Sequence, residues 1–240
     1  RSPLGGRNFE CYSEDPVLSG RLAAAFVRGV QSRGVATTPK HFAANDSEFE
    51  RNTIDVRVDE RTLREVYLVP FEHAVKEGGA WGVMSAYNRV RGQYCGHNRE
   101  LLTQILREEW GFEGFVTSDW VHGVRDGVAG IEAGLDVEMP AQHRYGRPLR
   151  QAVTNGTVAM ETIDAVLAMI SGVIFAKDLP LRESVSSSRE SDKKGPSVNW
   201  SLSMVVKDLA NTSLSTVTTE TGMNNSPATV EINSTRFEPR

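Results

Sequence analysis

Hydrophobic and polar positions along residues 1 to about 180 follow two alternating patterns. Short, nearly continuous apolar runs, typical of buried strands, occur at residues 35–42, 81–87, 115–118 and 135–139. Apolar residues at helical spacing predict helices at residues 15–33, 59–76, 99–110, 121–132, 148–155 and 161–175. Pro70 lies inside the second of these helices, so a kink or break is expected there.

The order of these elements indicates the fold class. Strands that alternate with helices through short connections form parallel sheets covered by helices. About four strand–helix units occur here, and a (β/α)8 barrel contains eight. We therefore predict an α/β protein whose residues 1–181 form the C-terminal half of a TIM-type (β/α)8 barrel. The chain begins with Arg1 rather than Met, and we expect the first half of the barrel to precede it.

Residues 182–240 differ in composition from the rest of the chain. They are rich in Ser, Thr and Asn and show no sustained apolar period. Such a segment cannot bury enough apolar surface to offset its chain entropy. We predict a disordered or irregular tail without catalytic residues.

Composition and charge argue against several classes of partner. The net charge is −4, with 39% hydrophobic and 24% charged residues, so nothing favours nucleic acid or an anionic membrane as partner. No apolar run approaches the roughly 20 residues of a membrane span. Cys11 and Cys95 are the only cysteines; a disulfide between them stays an open alternative. The absence of CxxC or Cys/His ligand spacing predicts no metal site, and no cofactor is expected.

The clearest candidate for chemistry is the end of the third predicted strand. The apolar run at residues 115–118 leads directly into Asp119 and Trp120. Active sites of α/β barrels lie at the C-terminal ends of the strands. A carboxylate there can attack a sugar's oxocarbenium-like centre, and an indole can pack against the sugar's C–H face. The alternative is that Asp119 merely caps the helix predicted near Val121, because Asp is a favoured N-cap residue.

The other predicted strands also carry polar residues at their ends. They are Lys40 and His41 on the first, Tyr87 and Asn88 on the second, and Asp136 and Glu138 on the fourth. Flanking loops add Arg7, Glu10, Asn45, Asp46, Glu48, Glu50 and Arg51. Each of these alone has a simpler explanation as a solvated or core residue. Together they favour a polar site for sugar hydroxyls, because barrel strand ends converge on one mouth.

Several motifs, in order, carry a resemblance to a known family. They are Gly6-Arg7-Asn8-Phe9-Glu10 with Ser13-Glu14-Asp15-Pro16, Lys40-His41-Phe42-Ala43-Ala44-Asn45, Ser85-Ala86-Tyr87-Asn88, and the stretch from Trp110 to Trp120. Over residues 1 to about 175 the chain resembles glycoside hydrolase family 3, in its β-glucosidase branch.

The resemblance implies a (β/α)8 barrel followed by an α/β sandwich domain. It also implies a role for each matching residue. Asp119 would be the catalytic nucleophile, and Tyr87 would lie beside it. Trp120 would form a wall of the pocket. The sugar hydroxyls would be bound by Arg7, Lys40, His41 and Arg51.

The chain departs from the family pattern at two places, which bear on the branch of the family and on the acid/base residue. The β-N-acetylglucosaminidase branch carries a Gly-His-Gly-type loop after Lys-His-Phe, whereas this chain has Ala43-Ala44-Asn45-Asp46, so that branch is disfavoured. In the glucosidase branch the general acid is a Glu on the second domain. Residues after Leu181 do not resemble that domain, so no acid/base residue can be named within the chain.

The expected function is therefore hydrolysis of terminal β-D-glucosyl residues by a retaining, double-displacement mechanism. The substrate would be a β-glucoside or a short β-glucan, and the fragment alone is expected to be inactive. The alternative is a non-catalytic, truncated product that retains a carbohydrate-binding surface. A third hypothesis is an unrelated barrel that uses Lys40 as a Schiff base.

Lys40 and His41 pose a geometric problem. The resemblance places both side chains in the pocket, but adjacent strand residues point to opposite faces. We therefore expect a β-bulge or a cis peptide bond between them.

Overall fold

The computed structural model describes residues 5–175 and two short strands further along the chain. In chain order the first elements are a 3-10 turn at Asn8–Glu10, helix α1 at Pro16–Gln31, strand β1 at Asp55–Val56, and a continuous helical run α2 made of Glu60–Thr62, Leu63–Leu68, Val69–Glu72 and His73–Glu77. There follow strands β2 at Gly82–Met84, β3 at Arg89–Val90 and β4 at Gln93–Tyr94, a 3-10 turn at Cys95–His97, helix α3 at Glu100–Glu109, strand β5 at Phe115–Thr117, and helices α4 at Gly127–Ala133, α5 at Arg147–Thr154 and α6 at Met160–Phe175.

The two remaining strands, β6 at Thr216–Thr219 and β7 at Val230–Asn233, pair antiparallel with each other. Apart from these strands, the tail predicted for residues 182–240 lies outside the described residues. Its predicted irregularity stays a prediction.

A parallel sheet carries the predicted strands in sequence order. Strand β2 pairs in parallel with β5, with Val83 opposite Val116. The first and fourth predicted strands are extended segments that join this pair through single bridges, from Phe42 to Ser85 and from Thr117 to Val137. Short apolar runs therefore predicted four parallel segments correctly, although two of them form too few ladder hydrogen bonds to count as regular strands.

Helix α1 begins where its sequence indicates. The Asp15 side chain accepts a hydrogen bond from the Leu18 backbone N–H at 2.7 Å, and Pro16 occupies the first helical position, where its missing N–H costs nothing. Gly20 faces α2 so closely that a Cβ atom there would lie 2.4 Å from the His73 ring. A glycine at this position lets the two helices pack together.

A kink or a break was expected at Pro70, and the continuous run α2 excludes the break. The Asp59 side chain caps its start by accepting from the Thr62 N–H at 2.9 Å. The helix then continues past Pro70 to Glu77, changing between α-helical and π-helical turns. A π-helical turn lengthens the hydrogen-bonded ring, so the chain accommodates Pro70 without ending.

The helix predicted at residues 121–132 is wrong at its start. Helix α4 begins only at Gly127, because Asp126 caps it by accepting from the N–H groups of Val128 and Ala129 at 2.9 and 3.0 Å. Val121 has a positive φ of 66°, which a helix cannot contain. The residues after Asp119 therefore form a turn, and Asp119 is not a helix cap.

The core lies between the parallel sheet and its helices. Val83 and Val116 on the sheet and Leu102, Ile105 and Leu106 on α3 are fully buried. Phe42 contacts Phe71 and Trp110 edge to face, with ring centroids 5.1 and 5.8 Å apart. None of the helices in the described part of the chain is long and apolar enough to cross a membrane.

Candidate active site

The carboxyl ends of the parallel segments bring Asp119, His41 and Tyr87 together. Asp119 follows β5 directly, and its Oδ2 atom lies 3.4 Å from Nε2 of His41. Both side chains are about 10% exposed. The hydroxyl of Tyr87, after β2, donates to the carbonyl oxygen of Trp120 at 2.6 Å. The polar residues predicted at three strand ends therefore share one site.

The two carboxylate oxygens of Asp119 have different surroundings. Oδ1 accepts a hydrogen bond from the backbone N–H of Trp120 at 2.7 Å. Oδ2 is buried, and within residues 5–175 it has no hydrogen-bond partner of normal geometry, although Nε2 of His41 lies 3.4 Å away. A carboxylate that is held through one oxygen, and whose other oxygen accepts no hydrogen bond, is suited to nucleophilic attack or to stabilising a nearby positive charge.

The expected break in strand alternation is present. The peptide bond between Lys40 and His41 is cis. His41 faces Asp119, and the Lys40 ammonium lies 2.8 Å from Oε2 of Glu10. The other carboxylate oxygen of Glu10 accepts from Nε of Arg7. His41 therefore contacts Asp119 and Lys40 contacts Glu10. That both side chains bind the sugar stays a prediction.

Glu10 and Arg7 stabilise each other's charged forms. Burial alone would raise the pKa of Glu10, but hydrogen bonds from Lys40 and Arg7 outweigh it and lower that pKa. The pKa of Arg7 is raised, because attraction to Glu10, Glu48 and Asp119 outweighs partial burial. Glu10 is therefore a fixed negative charge between two positive ones, and the charge of Asp119 also acts on Arg7.

Arg51 completes the cationic side of the site. Its guanidinium carbon lies 5.2 Å from the centre of the Tyr87 ring, and Nη1 donates to Glu48 at 2.9 Å. Burial, followed by the charge of Asp119, raises the pKa of Tyr87 to about 12. Tyr87 is therefore a hydrogen-bond donor at neutral pH and cannot act as a base.

His41 is uncharged near neutral pH. Burial lowers its pKa, and the neighbouring charge of Asp119 only partly offsets that effect. A neutral imidazole beside a carboxylate can donate one hydrogen bond and accept another. His41 can therefore bind a hydroxyl group without neutralising Asp119.

Trp120 is half-buried and held through its backbone. Its N–H donates to Asp119, and its carbonyl accepts from Tyr87 and from the His122 N–H at 2.7 Å. These contacts position the backbone of Trp120 beside Asp119. The role of the Trp120 indole as a wall of the pocket stays a prediction.

The polar residues of the fourth segment serve the fold rather than the site. Asp136 accepts from Arg107 and from the Val116 N–H, both at 2.6 Å, and burial raises its pKa to about 6. Glu138 accepts from the N–H groups of Arg144 and Tyr145 at 2.7–3.0 Å. Both side chains bind backbone N–H groups, so Asp136 and Glu138 stabilise the fold although they lie near a strand end.

Gly123 supports the site, and the sequence analysis missed it. A Cβ atom at Gly123 would lie 2.5 Å from the carbonyl oxygen of Asp119 and 2.8 Å from its nitrogen. The turn after Asp119 can fold back on it only because this position has no side chain. A glycine three residues from a motif carries no specific signal on its own.

A second supporting cluster joins two loops of the site. The guanidinium carbons of Arg89 and Arg125 lie 5.4 and 5.0 Å from the centre of the Tyr94 ring. Arg125 donates to the carbonyl of Asn52 at 2.8 Å, and Arg89 donates to that of Thr53 at 2.7 Å. The turn after Asp119 is thereby tied to the loop that carries Arg51.

The two cysteines do not pair with each other. Cys11 and Cys95 form no disulfide, which removes the disulfide alternative, and complete burial raises the pKa of Cys95 to about 12. Among the residues that the structure describes, no group of three or more His, Cys, Asp or Glu side chains could hold a metal ion.

Several known proteins are similar to this chain. A β-glucosidase of Rhizobium radiobacter is 57% identical over 166 residues, which cover 69% of this chain and 20% of that protein. Thermostable β-glucosidase B of Acetivibrio thermocellus is 51% identical over 176 residues, covering 73% and 23%. The chain thus spans less than a quarter of the length of these two relatives.

A similar solved structure is β-glucosidase 3B of Thermotoga neapolitana in complex with glucose, with 48% identity, a TM-score of 0.69, and coverage of 72% of this chain and 25% of that one. The family model of the glycosyl hydrolase family 3 N terminal domain matches residues 1–173. This domain has a TIM-barrel type of fold, as expected from the alternating strands and helices. The resemblance noted in the sequence is confirmed, and the chain belongs to glycosyl hydrolase family 3.

Proposed function

We propose that this chain carries the nucleophile and most of the sugar-binding residues of a retaining β-glucosidase. The observation that carries the proposal is the buried Oδ2 of Asp119, which lies 3.4 Å from Nε2 of His41 and accepts no hydrogen bond of normal geometry from residues 5–175. The charge of Asp119 also raises the pKa values of Arg7 and Tyr87. Such an arrangement stabilises positive charge at a sugar carbon while cationic and polar groups hold the hydroxyls. The relatives named β-glucosidase support the substrate class.

The mechanism proceeds in two displacements. Oδ2 of Asp119 forms a bond to the anomeric carbon while the bond from that carbon to the leaving oxygen breaks, and the leaving oxygen takes a proton from a general acid. Water then gives its proton to the same group and displaces Asp119. Two inversions retain the configuration, and no cofactor is required.

The general acid belongs outside the described residues. A carboxylic acid that donates a proton near neutral pH needs a raised pKa, whereas that of Glu10 is lowered by Lys40 and Arg7. Glu48 is paired with Arg51 at 2.9 Å. We infer that the acid/base Glu lies in an α/β sandwich domain within the part of the relatives that this chain does not match.

The remaining site residues would bind the terminal glucose of a β-glucoside or short β-glucan. Arg7, Lys40, His41 and Arg51 would bind its hydroxyls, and Trp120 would form a wall of the pocket. We further propose that residues 1–181 are the C-terminal half of the barrel, with the N-terminal half as an intramolecular partner. Four parallel segments, half the number in a barrel, support this interpretation.

An activated substrate tests this function without the missing acid. The chain is expected to be inactive on ordinary alkyl glucosides, because their leaving groups need the missing acid. Dinitrophenolate leaves without protonation, so we propose that the same chain releases it from 2,4-dinitrophenyl β-glucoside. Proton NMR should show β-glucose as the first product. First formation of α-glucose would exclude the retaining mechanism, and glucose binding without dinitrophenolate release would favour the non-catalytic alternative.

Gly123→Ala should slow dinitrophenolate release by roughly 10- to 100-fold, because a displaced nucleophile loses its attack geometry. The added Cβ would force the backbone of Asp119 to move. Gly29→Ala is the matched control, since a Cβ there meets nothing within 4 Å. Equal rates in the two variants would show that Gly123 does not position Asp119.

A further inference from the structure

Glu10 is the side chain that connects two of the proposed sugar-binding cations. One of its oxygens accepts from Nε of Arg7, three residues away, and the other lies 2.8 Å from the Lys40 ammonium. Arg7 precedes the Asn8–Glu10 turn, whereas Lys40 ends the first extended segment. Glu10 therefore joins two separate parts of the site, and we call Arg7, Glu10 and Lys40 the cation clamp.

The clamp contributes little as a stability device. The side chains of Glu10, Arg7 and Lys40 are 23%, 29% and 41% exposed, and ion pairs exposed to this degree stabilise a fold weakly. The same contacts do fix the direction of two long, flexible side chains. The ion pairs of Glu10 are too weak to be explained by stability, so we consider what they do for the cations of the site.

Asp119 is the competing anion. Its Oδ2 lies 3.4 Å from Nε2 of His41, the residue next to Lys40, and accepts no hydrogen bond of normal geometry from residues 5–175. The charge of Asp119 also acts on Arg7. A flexible cation near a carboxylate oxygen that accepts no hydrogen bond will pair with it unless another anion holds that cation. Such a pair would occupy the lone pair that must attack the anomeric carbon and would reduce its nucleophilicity.

We propose that Glu10 is a positioning residue that keeps Arg7 and Lys40 away from Oδ2 of Asp119 and directs their free N–H groups to the sugar. Glu48 holds Arg51 in a similar way, but with a partner only three residues distant in its own loop. This inference rests on the proposed function. It assigns to Glu10 an effect on the reactivity of Asp119, beyond the roles of the residues that would bind the sugar.

Inactivation of the full chain by 2,4-dinitrophenyl 2-deoxy-2-fluoro-β-glucoside separates binding from reactivity. The leaving group needs no acid, and the fluorine slows hydrolysis of the adduct, so saturation kinetics give a dissociation constant and a maximal labelling rate. We expect Glu10→Gln to lower the maximal rate roughly tenfold or more, with a change of about threefold or less in the dissociation constant. Glu65→Gln, which removes the exposed pair with Arg61, should change neither value.

A second variant distinguishes positioning from a structural role. If the freed ammonium lowers the reactivity of Asp119, Glu10→Gln combined with Lys40→Met should recover part of the labelling rate while binding weakens. Two outcomes would overturn this inference but leave the proposed function intact, provided that the wild-type chain is labelled. One is an unchanged labelling rate in Glu10→Gln, and the other is no recovery of that rate in the double variant. Failure of the wild-type chain to be labelled at Asp119 would overturn the proposed function and this inference with it.

Discussion

Asp119→Asn should lower the rate of dinitrophenolate release by roughly 10⁴-fold or more, because an amide oxygen cannot form the covalent glycosyl intermediate. The substitution preserves side-chain shape and the hydrogen bond that the Trp120 N–H donates to Oδ1. The loss should therefore fall on chemistry rather than on the fold. Release of dinitrophenolate from the activated glucoside by the full chain, measured at saturating substrate, gives the rate.

Asp126→Asn is the matched control for this prediction. Asp126 lies seven residues further along and caps α4 through two backbone N–H groups, and Asn is also a good N-cap residue. Its rate should stay within about threefold of the wild type, since it touches neither Asp119 nor His41. A reduction of similar size in both variants would mean that the loop, and not the carboxylate of Asp119, limits the rate.

Arg107→Leu should lower the free energy of unfolding by about 3–5 kcal/mol, because it leaves the buried carboxylate of Asp136 without its charge partner. Asp136 is 2% exposed, and its Oδ2 lies 2.6 Å from Nη2 of Arg107. Arg107 also donates to the carbonyls of Gly114 and Gly134 at 3.1 and 3.4 Å. One side chain thus joins α3, the approach to β5 and the fourth extended segment, and urea unfolding followed by circular dichroism measures its contribution.

Arg64→Leu provides the comparison for this second effect. Arg64 pairs with Glu109 at 2.6 Å, but the two side chains are 40% and 45% exposed. Exposed pairs typically contribute about 0–1 kcal/mol, so the unfolding curve should move little. If the two variants lost the same free energy of unfolding, the burial of Asp136 would not explain the contribution of Arg107 to stability.

The sequence was most informative where one physical signal dominated. Apolar runs ending in polar residues located the parallel segments and brought Asp119, His41 and Tyr87 to one edge, since parallel strands share a carboxyl end. The geometric problem at Lys40 and His41 followed from strand alternation together with the resemblance, and the expected cis peptide bond is present. These inferences needed only local pattern, the resemblance and the geometry of a sheet.

Other features depended on contacts that no local pattern encodes. The turn at Val121 replaced a predicted helix because Asp126, and not Asp119, caps α4. The two-residue strands β3 and β4 are too short to show a period, and their turn uses positive φ at Arg91 and Gly92. Asp136 lies on a predicted strand end like the site residues, yet it is bound by Arg107, which is 29 residues earlier.

The cation clamp illustrates the same limit within the site. Arg7, Glu10 and Lys40 were all noted as polar residues near the predicted site, and the resemblance implied roles for Arg7 and Lys40 only. The position of Glu10 between them became visible in the structure, which places its two oxygens on the two cations. Gly123 is similar, since its importance follows from a backbone approach to Asp119.

The residue that becomes covalently labelled is the most direct measure of the central claim. The full chain is treated with 2,4-dinitrophenyl 2-deoxy-2-fluoro-β-glucoside, digested, and mapped by tandem mass spectrometry. The account predicts one fluoroglucosyl group per chain, attached to the side chain of Asp119. A label on Glu10, Glu48 or any other residue, or no label on a chain whose folding is verified by circular dichroism, would contradict it.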